Sequence, residues 1–164
     1  MDAIEAIQTR RSVRAYYLKP VAREVLTEII DCARLAPTGM NLQPWEFVVV
    51  TSPETITALA GLCTNAPFMA EAAAVVVVAC RKQGMWLEDA AAATTTLMLA
   101  ARAHGLGSCW YHMLDKPFEP DMRALVGLPD DLAIVCCVTL GHGENPPSPD
   151  KRPLADVLHW ETYG

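Results

Sequence analysis

The chain has 164 residues, 52% of them apolar, and a formal net charge of −6. That length suits one domain, 1–164, and the acidic balance excludes a general nucleic-acid binder and a protein docked on anionic lipid, both of which need positive surface. The apolar share is high for one small subunit and points to a second copy, because obligate dimer interfaces resemble a core cut in half.

Met1-Asp-Ala-Ile-Glu5 lacks the basic and apolar regions of a secretory leader, so a cytoplasmic protein is expected. Asp2, with Glu5 three residues on, starts a first helix that turns Ile4 and Ile7 inward and stops near Thr9. Pro20 breaks the chain. A second helix spans about 22–35, its stripe made by Val25, Leu26, Ile29, Ile30 and Ala33. Pro37, Gly39, Asn41 and Pro44 mark a loop before a buried strand at 47–50, and Pro53 opens the next helix. A β-branched run at 73–80 reads as a strand buried on both faces, and it is far too short to span a bilayer. From about 85 to 104 the pattern is helical and rich in Ala and Thr, with Asp89 near its start. Small residues let two backbones approach closely, which suits a central packing or dimer helix. Strands at 108–114 and 132–140 flank a short helix at 118–126, and the proline-rich stretch 145–149 cannot pair in a sheet. A sheet packed with helices follows, whose strand directions this order leaves open.

Cys32, Cys63, Cys80, Cys109, Cys136 and Cys137 lie in apolar stretches without a CxxC pair, as reduced buried thiols do. Cys136 and Cys137 should point to opposite faces of one strand. His104, His112, His142 and His159 form no i, i+4 or HExxH pattern, so no metal is expected. No GxGxxG stands between strand and helix, which argues against a Rossmann site.

Arg10, Arg11, Ser12 and Arg14 put three guanidinium groups and a hydroxyl into five residues of an acidic chain. Guanidinium forks bind phosphate oxygens bidentately. The same residues at a helix C-terminus would offset the helix dipole by roughly 0.3–1 kcal/mol. Lys151 and Arg152 either complete a phosphate site with the first cluster or are ordinary tail charges. The 36–45 loop, between prolines and a strand, is a platform for ligand hydrogen bonds or simply a turn, with Trp45 in the core.

Arg10-Arg-Ser-Val-Arg14, Ala36-Pro-Thr-Gly-Met-Asn-Leu-Gln-Pro-Trp45, Gly105-Leu-Gly-Ser-Cys-Trp110, and Arg152-Pro-Leu with His159-Trp160 follow one another in the order of the FMN-dependent nitroreductase family, which the chain resembles over nearly its whole length. The resemblance implies an α+β fold with a central mixed or antiparallel sheet flanked by helices. It implies a long central helix at a homodimer interface and a C-terminal tail extending onto the partner. Arg10, Arg11, Ser12 and Arg14 match the positions that hold the FMN phosphate and ribityl chain, and Lys151 and Arg152 the C-terminal phosphate contacts. Pro37, Thr38, Gly39 and Asn41 match the loop that reaches flavin in the partner subunit. Asn65 matches an asparagine on the pyrimidine side of the ring. Trp110, Tyr111, His112 and Met113 match the stretch against the isoalloxazine, where the His112 backbone N–H would face N5.

In the family, NAD(P)H reduces FMN by hydride transfer and leaves, and an acceptor such as a nitroaromatic or quinone takes its place in the same pocket. No side-chain acid or base is strictly needed, although the His112 imidazole is a candidate proton donor. Alternatives within the fold are reductive dehalogenation or flavin modification, and outside it a non-catalytic flavin-binding protein. Departures bear on substrate and nicotinamide recognition. The helical segment that covers the flavin in longer members is missing, and Phe68 stands where many carry a lysine. Thr95 and Thr96 replace amides of the central helix.

Overall fold

The β-branched run at the middle of the chain becomes the middle of the sheet. In the computed structural model, which describes residues 1–147 and 149–163, the elements in order are α1 (Ala3–Thr9), α2 (Arg23–Ala33), β1 (Trp45–Val50), α3 (Pro53–Leu62), β2 (Ala74–Arg81), α4 (Trp86–Ala103), β3 (Gly107–His112), α5 (Glu119–Val126) and β4 (Leu132–Gly141). Short 3-10 turns lie at Gly39–Asn41, Pro67–Glu71 and Leu154–Asp156. The proline-rich stretch contains Ser148, which lies outside the described residues; the residues on either side of it are in no strand.

The strands are ordered β1-β2-β4-β3, and every ladder is antiparallel. The mixed alternative is thereby resolved; parallel pairing is confined to one isolated bridge between Ser12 and Ser108. β2 reads as a continuous apolar run because helices cover both of its faces. Val75, Val77 and Ala79 pack with Ile56 and Leu59 of α3 and Met122 of α5. Val76 and Val78 pack with Leu26 and Ile29 of α2 and Leu97 and Met98 of α4. Full burial of each such valine contributes about 1.5–3 kcal/mol before the entropy of ordering it is subtracted. Cys136 joins the second of these clusters and Cys137 the first, on opposite faces as alternation requires.

Helix starts follow their cap residues. The Asp2 carboxylate accepts the Glu5 N–H at 2.8 Å, and the Ser52 hydroxyl accepts the Thr55 N–H at 3.3 Å just before Pro53. One expectation fails in α1: Ile4 and Ile7 are 63% and 57% exposed. α1 lies on α4 and buries Ala6 alone, so its larger apolar residues are left facing outward. The tail from 151 to 163 is exposed throughout, including Leu154, Trp160 and Tyr163. Among the described residues no helix is long and apolar enough to cross a membrane, and no group of His, Cys, Asp or Glu is arranged to hold a metal ion.

Candidate functional site

The basic cluster is an extended segment pressed against the β3 edge of the sheet. α1 stops at Thr9, and Arg10 is already extended at φ −62 and ψ 132. The Val13 N–H bonds the Ser108 carbonyl at 2.9 Å, and the Val13 side chain is fully buried with Tyr16 and Ala72. Two glycines make the room: a Cβ on Gly107 would stand 2.7 Å from Val13, and one on Gly143 would stand 2.3 Å from the Ala15 carbonyl oxygen. The Tyr16 hydroxyl donates to the Val13 carbonyl at 2.8 Å, and the single Thr139 proton is shared between Tyr16 Oη at 2.7 Å and the Cys109 carbonyl at 3.3 Å. This buried network fixes the backbone from which the basic side chains project.

Those side chains meet the C-terminal segment. Arg10, Arg11, Ser12, Arg14 and Lys151 line one cleft of about 600 Å³, together with Ile7, Gln8 and prolines 146, 147 and 149. Asn145 Nδ2 donates to the Thr9 carbonyl at 3.1 Å, which brings that segment back across the end of α1. Arg152 is exposed and is not among the lining residues, so of the C-terminal pair it is Lys151 that reaches the cleft. Arg11 Nη1 bonds the carbonyls of Gln8 and Arg10 at 2.8 and 2.7 Å. Arg10 and Arg14 enter no ion pair among the described residues. The Cys109 thiol lies beside them: burial pushes its pKa up, with Arg14, Arg10 and Ser12 pulling the other way. A cationic cleft with few acceptors of its own has the donor chemistry of a phosphate site.

Along the same edge β3 turns two backbone donors outward. Met113 N–H bonds the Val135 carbonyl at 3.0 Å, and the register pairs Tyr111 with Cys137 and His112 with Cys136. Antiparallel pairs alternate, so the groups of residues 108, 110 and 112 point away from β4. Ser108 spends its outward carbonyl on Val13. The N–H groups of Trp110 and His112 face the open edge beyond. Trp110 and Tyr111 are half-buried and His112 is exposed. Met113, expected against the flavin ring, has its side chain fully buried among Leu59, Met69 and Ile134, and its N–H is taken. Its place is in the core: its N–H continues the pairing with β4 by one residue, and its side chain packs in the cluster beneath the sheet.

The remaining candidates are not in the basic cleft. Asn65 is exposed in the turn after α3. Phe68 packs against the Val13–Tyr16 cluster. Pro37 and Asn41 are exposed, and Thr38 and Gly39 are bonded to Asp89 in α4. Trp45 is core, at the start of β1. Sequence reasoning missed the Tyr16–Thr139 network and the role of Asp89, since each joins residues far apart in the chain. The sequence offered only a second carboxylate, beside Glu88, in the first turn of the helix.

The chain matches the model of the nitroreductase family over residues 7–88 and 63–142. It is 32% identical over 174 residues to an Archaeoglobus fulgidus protein provisionally named NADH dehydrogenase/NAD(P)H nitroreductase, covering 99% of both chains. It is 31% identical to a Thermus thermophilus NADH dehydrogenase, covering 98% of this chain and 96% of that one. Among solved structures it is similar to an FMN-dependent nitroreductase from Clostridium difficile, with a TM-score of 0.85 and 26% identity over 98% of this chain and 99% of the other. The chain belongs to the nitroreductase family and is a flavin oxidoreductase of that family.

Proposed function

We propose that the protein is a homodimeric, FMN-dependent NAD(P)H oxidoreductase that reduces nitroaromatic or quinone-type acceptors. The observation that carries the reading is the cleft in which Arg10, Ser12, Arg14 and Lys151 converge. These residues fit a phosphate monoester: fixed guanidinium forks, a hydroxyl donor and a lysine on one side of a site of about 600 Å³. In this reading Arg10 and Arg14 hold the phosphate, Ser12 adds a hydrogen bond, and Lys151 closes the cleft from the C-terminal side. Arg152 stands further out and contributes charge alone.

Bound FMN supplies the two-electron chemistry, which the side chains do not need to perform. The residues of the chain orient it. From Ser12 beside Ser108 the edge of β3 leads to the outward N–H of His112, which would be the backbone donor to the bound ring. Half-buried Trp110 and Tyr111 give that edge an apolar bed, and the Asn65 amide serves the pyrimidine end. Pro37, Thr38, Gly39 and Asn41 belong to the site of the partner subunit. The exposed His112 imidazole would be the side chain available to protonate a product anion. The exposed apolar residues of α1 and of the tail support a homodimer, in which the tail would extend onto the partner.

The test is direct. The purified protein should take up one FMN per chain, and NADH or NADPH added without oxygen should bleach it. A quinone or nitroaromatic acceptor should then restore the colour. Protein that takes up FMN and is bleached by neither nicotinamide is not such an oxidoreductase, and protein that takes up no FMN is not FMN-dependent.

A further inference from the structure

One carboxylate holds the loop at 37–43 to the body of the chain. Asp89 lies in the first turn of α4, is 4% exposed and enters no ion pair among the described residues. A buried carboxylate without a cation is unfavourable unless its oxygens are hydrogen-bonded, and the helix N-terminus helps only in part. Both oxygens are used on the loop. Oδ2 accepts from Thr38 Oγ1 at 2.9 Å, and Oδ1 accepts the Gly39 N–H at 3.0 Å. Thr38 Oγ1 in turn accepts the Gln43 N–H at 3.1 Å, so the tether closes the loop from both ends.

What lies between the two ends is strained. Met40, Asn41 and Gln43 have φ of 52, 55 and 47, in the left-handed region that non-glycine residues avoid. Such residues persist where their surroundings over-determine them, and they gather at ligand-binding segments. Met40 is 83% exposed, so its own packing does not hold it there. The Asn41 N–H bonds the Thr38 carbonyl and the Leu42 N–H the Gly39 carbonyl, so the turn is built on the two residues that Asp89 holds.

We propose that Asp89 is a positioning residue for the flavin site: its carboxylate locks the 37–43 loop in the shape in which that loop meets FMN. The proposal rests on the FMN reading above and adds to it a residue that acts through Thr38 and Gly39. Free of the tether, the loop relaxes to ordinary backbone angles, and binding FMN must then restore the strained form.

Wild-type, Asp89→Ala and Asp89→Asn proteins, stripped of flavin, test this by amide exchange and by fluorescence titration with FMN. Asp89→Ala should lose protection of the Gly39 amide and raise the Kd for FMN roughly tenfold or more, as expected for a lost hydrogen bond to a charged group. Asp89→Asn keeps an acceptor for Gly39 and a donor that Thr38 can accept, so it should restore most of both. Asp89→Ala with wild-type Gly39 protection, or with wild-type Kd and flavin spectrum, overturns the proposal. A lowered melting temperature with unchanged Kd overturns it as well. If Asp89→Ala does not fold, Asp89→Glu keeps the charge but displaces it by a methylene and should also weaken FMN; an unchanged Kd there counts against the proposal. Wild-type protein that takes up no FMN overturns the FMN reading and this one together. Wild-type uptake with indifferent variants overturns this one alone.

Discussion

The Arg11 guanidinium turns back on the end of α1 and bonds the carbonyls of Gln8 and Arg10, while Arg10 and Arg14 line the cleft without an ion partner among the described residues. The two readings of the basic cluster therefore divide by residue. Arg11 has hydrogen bonds to its own helix end to lose; Arg10 and Arg14 are poised for an anion. The clustering was legible in the sequence, but this division was not, because it depends on where α1 stops and the extended segment begins. Met113 shows the same limit: one residue past the end of β3 separates a surface donor from a core side chain. Replacing Arg10 and Arg14 together by Ala should raise the Kd for FMN roughly a hundredfold or more, since each charge-assisted hydrogen bond contributes about 1.5–3 kcal/mol. Riboflavin, which lacks the phosphate, is the control in the same fluorescence titration. Its affinity should hardly change. Equal losses for both ligands would mean general damage to the site, and no loss would leave the cluster a helix-end feature.

At the scale of elements, each α-helix and strand was foreseen from an apolar pattern, a cap or a proline, and the ends that were given are displaced by at most two residues, while the short 3-10 turns were not. Trp45 and Glu46 begin β1 two residues earlier than the buried run alone indicates. Strand direction was not legible in β2, because a run covered on both faces looks alike in parallel and antiparallel sheets. The positive φ values at Met40, Asn41 and Gln43 were not legible for a related reason: no glycine marks them, and the Asp89 bonds to the adjacent Thr38 and Gly39 come from about fifty residues away. The double-sided burial has a consequence at high pH. Burial pushes the Cys63 thiol up to about 11, and the thiols of Cys80 and Cys136 up to about 12, from an ordinary value of 9.0. Above pH 9 the unfolded chain releases these protons and the native chain keeps them, so stability falls as pH rises. The loss should begin near pH 9 and continue to about 11–12, with Tyr16, also raised by its burial, adding in the same direction. Urea unfolding at pH 7.5, 9 and 10.5 should show this decline, and Cys136→Ala should make it shallower. A flat profile would mean that the thiols are not sealed between the sheet and its helices.

Apolar surface is left over at the scale of the whole molecule. Ile4 and Ile7 on α1, Met40 in the loop, Met85 and Leu87 at the start of α4, and Leu154, Val157, Leu158 and Trp160 in the tail are all exposed. One such residue is ordinary; this many are the surplus that the homodimer reading would place between two copies. The surplus was already visible as composition, but which residues form it was not, and Ile4 and Ile7 were placed on the wrong side. In the homodimer reading the tail extends across the partner, and only part of the surplus needs to lie between the two bodies. Light scattering should give about twice the 17.9 kDa of one chain. Removing residues 154–164 keeps Lys151 in the cleft but takes away the apolar tail. The shortened protein should dissociate at higher concentration, melt at a temperature that depends more steeply on concentration, and bind FMN more weakly if each site is shared. A monomeric full-length chain that binds FMN stoichiometrically would show that one chain builds the whole site, and the exposed tail would then need another partner.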